Sequence, residues 1–460
     1  MFLDVKGAKE PVPPCVARRA QMGQEMCMTS LNLRLLVATT SLLLWATSLG
    51  CADPYVGDDP PLDTPTFPTG LAVHPDGDFL AVVSSNFDGR YNRGALLLAP
   101  LDDVRIAAAN ATEMVRLDNT FKSAAFVPTF GHQPVFSPNG DRLVLATREA
   151  NLLVEIGVDD DLTITCPVRD GEETPDCETT PFALSLPAND PYDLVVTSQS
   201  DTEVRGVVSF LEHHEVMPFI IRDDEDGDRR FRIDTARIVD LGEDVAGVQA
   251  MTLLPGTSFV VLAVERFLSD SSTLRGIELI AYDLNEGANA ALHRLDVDID
   301  TGVFGVRTLV ASPDGGSLFM LTQLPDGLLR FDVDDGAIPT LTFSGQMETC
   351  SSPSRLLQHT LEAGNGDQVE RLFLTCFDDD AVLLIEPHSL SVTDEVRFLG
   401  DGPFGMALDV SGDEPLLFVS YFLDHRVVAF DLIDDVGEVR LTPVVELSAP
   451  AVDPLLLPLP

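Results

Sequence analysis

The sequence predicts an all-β fold, a seven-bladed β-propeller with four-stranded antiparallel blades around a central axis. Three observations predict it: one strand–turn–strand grammar recurs seven times, the strands are continuous apolar runs, and no stretch carries a long helical period. The clearest copy comes first. Pro68-Thr69-Gly70-Leu71-Ala72-Val73 leads into His74-Pro75-Asp76-Gly77 and then Phe79-Leu80-Ala81-Val82-Val83. Proline presets the first central turn position, aspartate accepts backbone hydrogen bonds, and glycine takes the positive φ that closes a hairpin. Gln133-Pro134-Val135-Phe136-Ser137-Pro138-Asn139-Gly140 and Leu309-Val310-Ala311-Ser312-Pro313-Asp314-Gly315 repeat the pattern. Weaker copies are expected near Pro181-Phe182-Ala183-Leu184, near Gln249-Ala250-Met251 and near Pro353-Ser354-Arg355, and a good last one begins at Pro403-Phe404-Gly405.

Gly70 to Gly405 makes six intervals of about 56 residues, room for a blade of roughly 40–50 residues plus loops. Apolar runs without alternation indicate strands covered on both faces, as in stacked blades. The Ala-rich piece Ile106–Ala111 is too short to argue for a helix.

The Pro-x-Gly-x-Ala-Val-x-Pro-Asp-Gly pattern, followed by an apolar strand and endings such as Tyr282-Asp283-Leu284, Phe331-Asp332 and Phe430-Asp431-Leu432, resembles the YVTN-type repeats of bacterial seven-bladed propellers. The resemblance covers about residues 65–447 and implies the fold. It leaves the function open, because such propellers serve as lactonases, surface proteins and binding platforms.

The first fifty residues read as export signal. Arg34 precedes an apolar run from Leu35 to Trp45 that ends at Gly50-Cys51. The run is too short and too rich in Ser and Thr for a membrane span of about 20 residues. Residues 1–27 read as an overhang upstream of a start at Met26 or Met28, 28–50 as signal peptide, 51–64 as tether and 448–460 as tail. Gly50-Cys51 resembles the end of a bacterial lipobox, which implies lipidation of Cys51. Ser48-Leu49 departs from that pattern, so cleavage by an ordinary signal peptidase is the alternative. The chain is expected in the periplasm or at the outer membrane or cell surface, touching the membrane only through that anchor.

Cys166, Cys177, Cys350 and Cys376 form an even set in an exported chain and point to disulfides, with local pairing the simplest of three connectivities. A zinc site lacks any C-x-x-C spacing. The formal charge of −45 excludes a general nucleic-acid or anionic-membrane surface.

Antiparallel strands put the start of each first strand and each loop between strands two and three on one face. His132, Gln133, Gln249, Arg307, Arg355 and Phe404 are expected near the axis. Asn86, Asp88, Arg90, Arg148, Glu149, Glu265, Arg266, Asp424 and His425 stand on the surrounding loops. These side chains either line a ligand site or merely solvate the face and bridge blades. No known catalytic motif occurs among them. His213-His214, read as adjacent strand residues, point to opposite faces and cannot share a metal. Asp224, Asp226, Asp228 and Asp234 gather around Gly227 as in exported calcium loops, though Arg222, Arg229 and Arg230 weaken that pattern, and a solvated acidic hairpin tip is the alternative.

Two functions fit. The first is a non-enzymatic envelope propeller that binds protein or glycan partners; it expects no converging, desolvated carboxylates or histidines at the axis. The second is a lactonase-like hydrolase with His132 as general base and Arg307 and Arg355 as oxyanion stabilisers.

Overall fold

In the computed structural model, the described residues are 58–447, apart from short segments at 160, 170, 180, 201–202, 224–228, 268–273, 287–291, 296–302, 335, 413 and 434–436. They form seven antiparallel sheets, each with at least four strands and each beginning a fresh up–down meander. The first strands are Pro68–Val73, Val135–Phe136, Pro191–Ser200, Val245–Leu253, Phe304–Ala311, Pro353–Glu362 and Pro403–Asp409. Neighbouring first strands contact one another, so they lie innermost, and the strand Pro403–Asp409 of blade 7 closes the ring against Pro68–Val73 of blade 1.

The hairpins form for the reason the sequence indicates. Gly77, Gly140 and Gly315 adopt φ of 77°, 81° and 74°, and each donates its N–H to the carbonyl three residues back, at 2.8, 2.9 and 2.8 Å. A side chain at such a φ would be strained.

Apolar runs are buried on both sides because alternate residues serve different neighbours. In blade 1, Leu80 and Val82 pack with Phe418 and Val427 of blade 7, while Ala81 and Val83 pack with Leu143 and Leu145 of blade 2. The same division recurs around the ring, giving one apolar core per blade interface. No single blade holds a core of its own, so stability is a property of the closed ring.

Two expectations change. The copy placed at Pro181 is not the start of a blade: Ala183–Ser185 pairs with Leu152–Gly157 as the outer strand of blade 2, and blade 3 opens at Pro191. The long insertion that carries Cys166 and Cys177 pushes this outer strand far along the chain, where its proline mimics the start of a repeat.

The Ala-rich piece is helical, over Leu101–Ala109. Leu101, Val104 and Ala108 bury one face against the seam between blades 1 and 7, so tertiary packing stabilises a helix too short to stand alone. The strand after it, Val115–Leu117, adds in parallel to the outer strand Val439–Leu447 of blade 7. The insertion thus clasps the ring shut. Arg105 fastens it, donating to Asp409 at 2.8 Å, to the Gly77 carbonyl and to Ser411.

The seam between blades 1 and 2 has its own strap. Cys166 and Cys177 are disulfide-bonded, and Cys177 N–H donates to the Phe126 carbonyl on the outer strand of blade 1 at 3.0 Å. Cys350 pairs with Cys376, which ends the second strand of blade 6. Both pairings are local. Two disulfides suit an extracellular or periplasmic compartment, and among the described residues no helix is long and apolar enough to cross a membrane. The signal, Cys51 and the 448–460 tail lie outside the described residues.

Candidate functional site at the propeller axis

The inner strands bend near their starts and again a few residues on. Register shifts interrupt their pairing at 68–70, 191–194, 245–247, 353–355 and 403–406, and further along at 196–198, 248–250 and 306–308. A bulge of this kind re-aims the side chains it carries. Tyr192, Asp193, Gln249, Arg307 and Phe404 lie within or beside these bulges. In blades 3, 6 and 7 a buried hydroxyl on the second strand accepts the bulge N–H: Ser209 from Asp193, Thr375 from Arg355 and Ser420 from Gly405, at 3.3, 3.1 and 2.8 Å.

In blade 4 the corresponding position holds Glu265. The residue two places on, Phe267, closes the same backbone hydrogen bond that Leu211, Phe377 and Phe422 close in the other three blades. A carboxylate therefore replaces a structural hydroxyl. Burial pushes its pKa up, against the Gly305 N–H and the charge of Arg307. It accepts from Gln249 at 3.0 Å and from Gly305 N–H at 2.9 Å.

Around the axis the groups converge. His132 lies deep yet keeps partial solvent access, and its ring meets Tyr192 at 4.4 Å. Burial, followed by the charges of Arg355, Arg148 and Arg307, holds its pKa well below 6.5, so it is neutral. Its Nδ1 is buried without a hydrogen-bond partner. Asp193 accepts N–H bonds from Met251 at 2.7 Å and Leu194 at 3.0 Å, and burial raises its pKa despite the nearby charge of Arg355.

Arg307 donates to the Tyr192 hydroxyl at 3.3 Å and to Gln323 at 2.5 Å, both neutral, and its buried Nε has no partner. Among the described residues no carboxylate lies within ion-pair distance of Arg307 or Arg355. The neighbouring guanidiniums are paired: Arg148 holds Asp190 at 2.5 and 2.9 Å, and Arg266 pairs with Asp244 at 2.7 Å and with Glu278.

Of the residues expected at the site, His132, Gln249, Arg307, Arg355, Arg148 and Glu265 are brought into this one neighbourhood. The others lie outside it. Gln133 donates to the Leu71 carbonyl of blade 1, Asn86 closes its own loop with Tyr91 at 2.7 and 2.9 Å, and Glu149 accepts from Thr129. Asp88 and Arg90 stay exposed, and Asp424 joins Arg426 at 3.2 Å. His425 accepts the Phe67 N–H on Nδ1 at 2.9 Å. Phe404 joins an aromatic cluster with Phe377 and Phe422.

Tyr192, Asp193 and Gln323 were not anticipated. The misplaced start of blade 3 hid the first two, although Pro191-Tyr192-Asp193 stands where Pro353-Ser354-Arg355 and Pro403-Phe404-Gly405 stand in their blades.

His213 and His214 also differ from expectation. They fall in the turn between two strands rather than on one, and their rings stack at 4.6 Å instead of pointing apart. Each faces one carboxylate, Glu215 at 3.8 Å and Asp240 at 3.7 Å. Of the calcium candidates, Asp224, Asp226 and Asp228 lie outside the described residues. Asp234 sits 3.8 Å from Arg237, at a cleft of about 410 Å³ between blades 3 and 4.

The neutral, deeply placed His132 and the raised Asp193 and Glu265 are the converging titratable groups that a bare display scaffold would lack. The cluster can bind an anion through Arg307 and Arg355 and can offer a neutral imidazole base beside it.

Comparison with known proteins adds the fold and no more. No protein-family model and no curated protein sequence matches the chain. Among solved structures, a Bacteroides fragilis protein described as a candidate 6-phosphogluconolactonase aligns with a TM-score of 0.52 at 15% identity, covering 74% of this chain and 86% of that one. The β-propeller domain of Cps50 (Swd1) from Myceliophteria thermophila aligns at 0.51 with 10% identity, covering 79% and 96%. Structures this distant in sequence, of such different description, share with the chain a seven-bladed β-propeller fold.

Proposed function

We propose that this chain is an exported propeller of the bacterial envelope, held by a lipid on Cys51, and that it works as a binding protein whose axis takes a small organic anion. One observation carries the reading. In a chain with 74 acidic and 29 basic residues, Arg307 and Arg355 sit at the axis with no carboxylate partner among the described residues, and buried His132 Nδ1 and Arg307 Nε are unsatisfied. Unpaired buried polar groups are costly. An anionic group that accepts from both arginines would remove that cost. Envelope protein or glycan partners on the outer loops are compatible with this axial role.

A second reading is favoured by the neutral His132. As general base it would take a proton from water attacking a lactone carbonyl, while Arg307 and Arg355 stabilise the oxyanion. The ring C–O bond would then break, and the alkoxide would take up a proton to give the hydroxy acid.

The test is calorimetric titration of the full chain with gluconate and 6-phosphogluconate, run beside a lactone-hydrolysis screen, for wild type, His132→Ala and Arg307→Ala. Binding that Arg307→Ala weakens at least about tenfold, without turnover, supports the binding protein. Turnover lost in both variants replaces it with the hydrolase. Anion binding indifferent to Arg307→Ala would sink both.

A further inference from the structure

We infer that the anion bound at the axis carries an apolar hydrocarbon or aryl body, and that this body lies on a wall of phenylalanines contributed by blades 6, 7, 1 and 2. The inference rests on the anion-binding reading of the axis. It comes from the half of that face which the arginines leave free.

There, six phenylalanines form a continuous chain of ring contacts. Phe130 meets Phe87 at 5.7 Å, Phe87 meets Phe422 at 5.2 Å, Phe422 meets Phe404 at 5.8 Å, and Phe377 and Phe67 complete it at 5.9 and 5.1 Å from Phe422. Phe422 and Phe377 are buried, but Phe87 is 41% exposed. Phe67, Phe130 and Phe404 are half-buried.

Both ends of the wall abut the charged cluster. At one end, Phe130 is two residues from His132, and its carbonyl accepts the Arg148 N–H at 3.2 Å. At the other, the Thr375 hydroxyl donates to the Phe404 carbonyl at 2.9 Å and accepts the Arg355 N–H at 3.1 Å. One threonine side chain thus joins the backbone of Phe404 to the backbone of Arg355.

The backbone shows that this arrangement is held against local preference. Phe67 and Phe130 adopt φ of 46° and 54°, a left-handed conformation in which a bulky residue is an outlier. Such residues persist where the surroundings over-determine them, and they cluster at ligand sites. Phe67 is fixed by His425, which accepts its N–H and packs against its ring at 4.4 Å. Phe130 is fixed through its N–H to the Ser85 carbonyl at 2.9 Å.

The chemistry of the wall selects the body of the ligand. All six side chains are phenyl rings without a donor or acceptor, and His425 Nδ1 is already occupied. A polyhydroxylated body would lose its water there without replacement hydrogen bonds, whereas a hydrocarbon or aryl body gains by burial. A carboxylate on that body would reach Arg307 and Arg355.

The experiment titrates the full chain by calorimetry with 4-phenylbutyrate and with gluconate, two monoanions that differ in the polarity of the body, for wild type, Phe87→Ala and Arg307→Ala. Phenylbutyrate is expected to bind at least about tenfold tighter than gluconate, to weaken about tenfold in Phe87→Ala, and to be lost in Arg307→Ala. Gluconate binding as tightly as phenylbutyrate, in an Arg307-dependent way, overturns this inference and leaves the anion site standing. No binding of either anion overturns both. Phenylbutyrate binding indifferent to Arg307→Ala overturns the shared site. The comparison of the two ligands on the wild-type chain decides the matter even if a variant fails to fold.

Discussion

The arginines at the rim of the propeller and those at its axis are the same side chain in opposite surroundings. Arg93, at the seam between blades 1 and 2, reaches Asp59, Glu172 and Asp176 at 3.1, 3.0 and 2.8 Å and lies over the Phe126 ring at 4.1 Å. Burial alone would disfavour its charge, but the three carboxylates outweigh that and raise its pKa. Arg105 at the opposite seam holds Asp409 in the same way. Arg307 and Arg355 have no carboxylate in ion-pair contact among the described residues, although Glu265 and Asp193 stand near enough to feel their charges. A guanidinium locked in ion pairs is structural cement, whereas one without a contact partner in an acidic protein is capacity held for something else.

The largest effect should come from breaking a seam. Asp176 has a fully buried side chain and accepts from Arg93 and Arg169, so Asp176→Ala removes the buried carboxylate that joins them, while Arg93 keeps Asp59 and Glu172 and Arg169 keeps Glu178. A loss of about 2–3 kcal/mol is expected, read as a shift in the urea midpoint. A loss below about 1 kcal/mol would erase the distinction between rim and axis.

At the axis the converse should hold. Arg307→Ala should cost less than about 1 kcal/mol of stability, as for a site without a compensated partner, yet weaken anion binding at least tenfold, about 1.4 kcal/mol. Equal damage to fold and to binding would make Arg307 a structural residue.

His132 gives a pH test. Its folded pKa lies below the ordinary value of 6.5, so below pH 6.5 the unfolded chain binds a proton that the folded chain does not. Stability contributed by neutral His132 is therefore present above pH 6.5 and is lost as pH falls towards the folded pKa. His132→Gln should flatten the stability profile in that window, measured by urea unfolding between pH 7 and 5. An unchanged slope would mean that the imidazole is not desolvated. Asp193 acts with the opposite sign at lower pH: its raised pKa means that ionisation costs stability as pH rises above 3.8.

The smallest effect concerns Glu265. Glu265→Ser restores the hydroxyl found at this position in blades 3, 6 and 7, so stability should stay within about 1 kcal/mol, while removing a negative charge near Arg307 should tighten anion binding about twofold to fivefold. A large loss of stability would show that the carboxylate holds blades 4 and 5 together through the Gly305 N–H.

Much of the fold was legible because its causes are local. Pro-Asp-Gly or its Asn variant fixes a hairpin through the φ of one glycine and one backbone hydrogen bond, and it does so at Gly77, Gly140 and Gly315 in blades 1, 2 and 5. Where an insertion separates strands, local grammar misleads, as Pro181 did for blade 3. The helix Leu101–Ala109 was illegible for a related reason: its apolar stripe is too short to signal a helix and forms only against the seam that covers it.

The sequence by itself determined the seven-bladed plan, the two-sided apolar strands and the strand ends on which His132, Arg307 and Arg355 stand, because each follows from short-range geometry repeated along the chain. Only the tertiary structure decided which of the chain's arginines meet carboxylates and which do not. Charge pairing joins residues tens to hundreds of positions apart, such as Arg105 and Asp409, and no local pattern records whether a guanidinium, once the ring has closed, finds a partner.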